Sequence, residues 1–293
     1  MTRTVAVLLL VVAAGVWGAT FPLVKAALVD ADPWTFLALR FGLAAVLLAP
    51  ALRARRWAGP GAGRAVACGV ALFVGYLLQT TGLTSTTPAR SAFITALSVV
   101  LVPLLEPLVG MGRATPRVWG GAVLACLGLA ILLRPEVQPL AVGDLLTAGC
   151  AVAFAFHVLL LQWAVQAMPV GRASAVQVLT TAALAIPAAA WQGQRLNLTP
   201  RLLVAVLVCA VLATVFAFWA MTAVQQVLTA AVTAVVLAFE PVAAAVVSLS
   251  LGEDRFTWPL AAGGAVVVAG VLLATVRRRA RGAIPAAGTQ LSG

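Results

Sequence analysis

Charge is scarce in this chain: Asp, Glu, Lys and Arg make up 9 % of its 293 residues, while hydrophobic residues make up 63 %. A soluble domain carries roughly 25 % charged residues, and so few charges cannot cover a surface that faces water. That excludes a soluble globular protein. There is one histidine, His157, with neither an HExxH motif nor paired carboxylates on a helix, so the parts of an intramembrane enzyme or a metal centre are missing. No GxxxxGK loop is present to cradle phosphates, which removes an ATP-driven pump. Cys68, Cys126, Cys150 and Cys209 stand singly in apolar runs and form neither a CxxC motif nor a disulfide framework. No small-x-small site closes a short apolar region after Met1-Thr2-Arg3-Thr4, so the first apolar run reads as an uncleaved span. No cofactor is expected. The net charge of +11 comes mostly from arginines flanking apolar runs, which argues for a lipid partner and against nucleic acid.

What is present is apolar length. Ten runs, approximately 5–25, 33–52, 65–84, 90–110, 117–134, 145–166, 173–192, 202–224, 229–251 and 257–276, each suit a helix crossing the hydrocarbon core. Short strands of alternating polarity, the mark of a transmembrane barrel, are not seen. The fold class is therefore an all-α integral membrane protein. With the N-terminus inside, the cytoplasmic segments hold twelve basic residues: Arg3, Arg53, Arg55, Arg56, Arg64, Arg113, Arg117, Arg172, Arg277, Arg278, Arg279 and Arg281. The outer segments hold six, Lys25, Arg90, Arg134, Arg195, Arg201 and Arg255, beside Asp30, Asp32, Glu136, Asp144, Glu253 and Asp254. This bias places both termini in the cytoplasm of a cell with the protein in its inner membrane.

The chain also repeats itself. A shift of 137 places Trp17 on Phe154, Thr20 on His157, Arg40 on Gln177 and Pro50 on Pro187. A shift of 138 places Thr95 on Thr233 and Pro103 on Pro241, and one of 143 places Gly120-Gly121 on Gly263-Gly264. Five spans is an odd number, so two tandem copies must lie in opposite orientations, as two inverted five-helix repeats with a substrate site between them at the midplane. The expected boundaries are 1–137 and 138–280, followed by a Gly/Ala/Ser-rich tail at 281–293 that reads as disordered.

The segments Trp17-Gly18-Ala19-Thr20-Phe21-Pro22, Leu39-Arg40-Phe41, Ser91-Ala92-Phe93-Ile94-Thr95 and Val102-Pro103-Leu104-Leu105 resemble the first half of EamA-type carriers of the drug/metabolite transporter superfamily. Phe239-Glu240-Pro241, Leu251-Gly252-Glu253 and Gly263-Gly264 with Gly270 resemble the second half, so the resemblance covers 5–276. It implies ten helices, both termini cytoplasmic, and a central cavity used in alternating access to move small organic metabolites, often outward. One departure is the short link between Pro103 and Gly120, which contains Glu106-Pro107.

Polar residues at membrane depth are costly, so they mark where function would lie. Glu240 sits mid-span beside a proline, either as a proton-coupling carboxylate or as a carboxyl bonding a neighbouring helix. His157 is a second coupling candidate or a substrate partner, and a satisfied interior histidine is the plainer alternative. Arg40 recognises a substrate carboxylate, pairs with an acidic group across the bundle or snorkels to headgroups, and Lys25 reads as a snorkelling side chain. Asp30 and Asp32 read as solvated loop charges. Trp17, Tyr76, Phe154 and Trp219, with the amides Gln79 and Gln177, suit a cavity for an aromatic or moderately apolar metabolite, while further tryptophans near span ends read as belt residues. Thr20, Thr95 and Thr233 join this set because repeat-related positions should face one interface. Pro22, Pro50, Pro103, Pro187 and Pro241 are expected to kink their spans. Glycine-rich faces at Gly120-Gly121, Gly128, Gly263-Gly264 and Gly270 allow close helix contacts, within the chain or across a homodimer. The function these features favour is secondary transport of an amino acid, aromatic or amphiphilic compound, in the export direction. A passive channel or facilitator is the alternative.

Overall fold

The computed structural model describes residues 1–52, 61–133, 139–193, 195–250 and 256–276. Outside them lie Arg53, Arg55, Arg56, Trp57, Arg134, Glu136, the Leu251-Gly252-Glu253 motif, Asp254, Arg255, Arg277, Arg278, Arg279, Arg281 and the tail. Among the described residues ten helices are long and apolar enough to cross a membrane, and no strand forms beyond one isolated bridge between Ala31 and Leu196. Seven spans are single helices: α1 (Arg3–Ala27), α2 (Pro33–Leu48), α3 (Ala62–Gly82), α6 (Pro116–Leu133), α7 (Val142–Val165), α8 (Val170–Gln192) and α13 (Trp258–Thr275). The fourth span is split into α4 (Pro88–Ala96) and α5 (Ser98–Leu105), and the ninth into α11 (Ala230–Leu237) and α12 (Glu240–Ser250). The eighth holds a π-turn, Val211–Phe216, between α9 (Pro200–Ala210) and α10 (Ala217–Val224).

Helix starts follow one local rule. Asp32, Thr87 and Thr199 each cap a helix whose next residue is proline, which loses no hydrogen bond there because the first N–H has no partner in any helix. The prolines inside spans take several positions. α1 and α8 continue through Pro22 and Pro187, and Pro50 lies in a short 3₁₀ turn, Ala49–Leu52, after α2. The breaks fall at Leu97 and at Ala238-Phe239, on the N-terminal side of Pro103 and Pro241. For Pro241 the reason is steric: its ring meets the carbonyl four residues back, that of Leu237, where α11 stops.

The bundle is inside-out relative to a soluble protein. Leu8, Val12, Val46, Leu127, Leu207 and Val246 are exposed on its flanks, as lipid-facing residues are. The two five-span units pack by exchange of equivalent elements: α6 lies against α13, α2 against α8, α3 against α7 as α1 lies against α10, and α5 meets α11 in the middle. Where α6 and α13 cross, small residues are obligatory. A Cβ on Gly128 would lie 2.6 Å from Val267 N, and one on Gly121 2.6 Å from Gly270 O. These glycine faces are thus used within the chain.

Three polar residues expected at the surface are tied down instead. The Asp30 carboxylate pairs with Arg201 Nε at 2.8 Å and accepts from Thr199 Oγ1 at 2.7 Å, and Asp32 caps α2 while accepting from Arg195 N at 2.9 Å. Both clasp the α1–α2 turn to the α8–α9 link, Asp30 through the side chains of Thr199 and Arg201 and Asp32 through the backbone donor of Arg195. The Arg201 guanidinium, with the Thr199 hydroxyl, holds the Asp30 carboxyl below its ordinary value of 3.8. Lys25 does not snorkel to headgroups. Its Nζ donates to Leu83 O, at the end of α3, and to Thr86 O, in the α3–α4 turn.

Candidate functional site

Between the repeats lies a cavity of about 900 Å³ of empty space, its open mouth included. Seven spans contribute to its wall, and of the candidate residues Trp17, Thr20, Arg40, Tyr76, Gln79, Thr95, Phe154, His157 and Glu240 all line it. The repeat-related pairs Trp17/Phe154 and Thr20/His157 therefore face the same space from opposite halves.

Arg40 is 3 % exposed, yet it is not a snorkelling residue. Its Nε donates to Thr214 Oγ1 at 2.9 Å, and Nη2 donates to Ala213 O at 3.1 Å and to Tyr76 Oη at 3.2 Å. The guanidinium also lies over the Tyr76 ring, 4.3 Å from its centroid. Ala213 O accepts a second bond, from Trp17 Nε1 at 2.8 Å. Both acceptors belong to the π-turn of the eighth span, where the regular i→i−4 ladder is interrupted. Thr214 completes it by donating to Cys209 O, five residues back, at 2.7 Å. Three of the five guanidinium hydrogens are thus placed, while Nη1 has no bond to a described residue.

Glu240 opens α12, and Gly18 lets α1 approach it, since a Cβ there would collide with the Glu240 carbonyl oxygen. Its carboxylate makes no hydrogen bond or ion pair with a described residue. One cavity thus holds a cation with open N–H groups and a carboxylate, not paired with each other. Aromatic rings of Trp17, Phe21, Tyr76, Phe154 and Phe218 share the wall. Phe218 lies 5.3 Å from Trp17, 6.1 Å from Tyr76 and 5.6 Å from His157, centroid to centroid. Tyr76 in turn meets Phe154 edge-on at 5.2 Å. Gln79 Nε2 donates to Thr95 Oγ1 at 3.2 Å.

Three candidates are placed away from the wall. Gln177 stands behind His157, its Oε1 2.8 Å from Nε2 of the ring. Thr233 is fully buried in α11 but is not among the lining residues. Trp219 points outward and is 44 % exposed, because successive helical residues are turned by about 100° and its neighbour Phe218 takes the inward position. Phe218, Met221, Thr80 and Ser98 line the cavity without having been singled out in the sequence. Of these Thr80 and Ser98, polar residues within apolar runs, carried a sequence signal. Glu106 also acquires a place: its Oε1 accepts from Ala231 N at 2.9 Å, joining the end of the fourth span to the start of the ninth. Among the described residues no three His, Cys, Asp or Glu side chains converge as a metal site would require.

Ten spans built as two opposed five-helix units around a shared cavity define the class as a multi-pass membrane protein of inverted-repeat design. The comparisons with known proteins narrow this further. The chain belongs to the EamA-like transporter family, whose model matches twice, at residues 4–134 and 141–276. An "Uncharacterized transporter" of Archaeoglobus fulgidus is 33 % identical over 147 residues, which is 50 % of this chain and 46 % of that protein. The matched stretch thus spans just under half of the curated relative's length. A protein of known crystal structure superposes with a TM-score of 0.78 at 20 % identity, over 94 % of this chain and 97 % of its own, which shows a common fold.

Proposed function

We propose that this transporter is a secondary carrier which moves a small bipolar organic solute, an amino acid or an aromatic or amphiphilic relative of one, by alternating access. The observation that carries the reading is the unpaired Arg40 and Glu240 in one aromatic-walled cavity between the repeats. A solute with a carboxylate and an ammonium would satisfy both charges, while either alone would leave a buried charge without a counter-ion. Glu240, open to the cavity, is also the carboxylate through which proton movement would be coupled, since one buried acid shared by proton and substrate suffices. The excess of basic residues on one side supports cytoplasmic termini and a cytoplasmic-membrane location. Export as the direction rests on the family resemblance.

The test uses purified protein in liposomes with labelled tryptophan, tryptamine and indolepropionate, which share a ring but carry both charges, the positive one or the negative one. Tryptophan is expected to exchange. Arg40→Gln should lower tryptophan and indolepropionate flux about tenfold or more, as loss of a charge-assisted pair does, and spare tryptamine. Glu240→Gln should remove the response to an imposed pH gradient. Tryptophan flux indifferent to that gradient in the parent protein would sink proton coupling, and equal loss of all three solutes in Arg40→Gln would sink the bipolar reading.

A further inference from the structure

We infer that His157 is held with its proton on Nε2 and its Nδ1 lone pair towards the cavity, so that it accepts a hydrogen bond from the ammonium group of the solute. The tautomer follows from a chain of groups that can each be polarised in one way only. It begins at Phe218 O, a backbone carbonyl that can only accept. Thr222 Oγ1, fully buried, donates its single hydrogen to that oxygen. The Thr222 hydroxyl must therefore accept from its other neighbour, the Gln177 amide at 3.1 Å. An amide nitrogen donates, so Nε2 of Gln177 faces Thr222 and Oε1 faces the other way. There Oε1 receives Cys68 Sγ at 3.6 Å and stands 2.8 Å from His157 Nε2. A carbonyl oxygen cannot donate, hence the hydrogen lies on Nε2. Reversing the Gln177 amide would set its oxygen against a hydroxyl whose hydrogen is already given away, leaving two acceptors in contact inside the bundle.

With the hydrogen on Nε2, Nδ1 is an acceptor. It has no bond to a described residue and is not among the buried atoms that lack both partner and access, while His157 lines the cavity. The repeat-related Thr20 is polarised alike: its hydroxyl donates to Trp17 O at 2.7 Å, so it too offers lone pairs to the cavity. Both walls present acceptors because both have spent their donors on protein carbonyls. The solute must then bring N–H or O–H donors as well as charge. This deepens the carrier reading, on which the solute's part rests, and distinguishes a primary ammonium from a quaternary one of equal charge. Gln177 and Thr222 are positioning residues for this interaction.

Because His157 is the sole histidine, protein labelled with ¹⁵N-histidine and purified through a histidine-free tag reports one imidazole without assignment. The expected spectrum shows Nε2 protonated and Nδ1 unprotonated, with the Nδ1 signal moved by tryptophan and left in place by N,N,N-trimethyltryptophan. Thr222→Val, which keeps the volume and removes the hydroxyl, should mix the tautomers and raise the KM for tryptophan about tenfold, the weight of one hydrogen bond, at an unchanged maximal rate. Thr222→Ser should restore both. A proton on Nδ1 in the parent protein overturns the tautomer. An Nδ1 signal indifferent to tryptophan, or trimethyltryptophan carried as well as tryptophan, overturns the acceptor role. Absence of all flux with Nδ1 shifted by tryptophan overturns the carrier reading instead and leaves this one standing.

Discussion

A buried guanidinium is tolerable only where its five N–H groups are accounted for, and Arg40 shows how that is arranged in an apolar bundle. The π-turn supplies a free carbonyl and a hydroxyl, Tyr76 supplies a ring face and an oxygen, and what remains is turned to the cavity. Asp30, in the α1–α2 turn, is the opposite case, a carboxylate whose partners, Thr199 and Arg201, are protein groups at the start of α9. Its folded-state pKa lies below its ordinary value of 3.8. A depressed carboxylate contributes stability that is complete above the unfolded pKa and is lost as pH falls through the folded one. The melting temperature of the purified protein is therefore expected to fall as pH drops below about 4, and Asp30→Asn to lower it at neutral pH while flattening that acid limb. A variant as stable as the parent at neutral pH would show that the clasp contributes nothing.

At the scale of the element, irregular turns decide what each span presents. The π-turn sets the phase of α10, so that Phe218 and Met221 face the cavity and Trp219 faces out. The breaks in the fourth and ninth spans open backbone near the cavity, where Ser98 and Glu240 each begin a new half-helix. The α6–α13 crossing is the regular counterpart, rigid because backbone meets backbone. Gly128→Ala would press a methyl group to 2.6 Å from Val267 N and 2.7 Å from Gly263 O. It is expected to cost about 1–3 kcal/mol, the range of overpacked cores, read as a loss of thermal stability. Gly63→Ala meets nothing within 4 Å and should be neutral or slightly stabilising, by up to about 1 kcal/mol, from helix propensity.

At the scale of the whole molecule, the two halves are held together by different polar sets at the two ends of the bundle. At one end Lys25, Thr86, Arg90 and Asp144 join α1, the α3–α4 turn and α7, with Thr86 Oγ1 donating to Asp144 at 2.8 Å and Arg90 paired to it at 2.8 Å. At the other, Glu106 of the first half holds the start of α11 in the second. A carrier that alternates must loosen one set while keeping the other. Thr86→Cys with Asp144→Cys, in a background lacking the native cysteines, should stop tryptophan exchange when oxidised and recover it on reduction. Undiminished exchange with the bridge fully formed would show that α7 and the α3–α4 turn never part.

The sequence by itself determined the ten spans, their division into two opposed units and the family, because bilayer thickness fixes the length of an apolar run and an odd repeat fixes its inversion. It also marked the costly polar residues at depth, Arg40, His157 and Glu240, since nothing local explains them. The tertiary structure alone decided which side chains meet. Trp17 reaches Ala213 across 196 residues of chain, and Arg40 reaches Thr214 across 174. The phase shift that turns Trp219 outward, the chain of bonds that sets Gln177 behind His157, and the carbonyls that capture Lys25 all arise between segments distant in sequence. No periodicity within one span records them, because hydrogen-bond direction and packing are properties of the neighbour as much as of the residue.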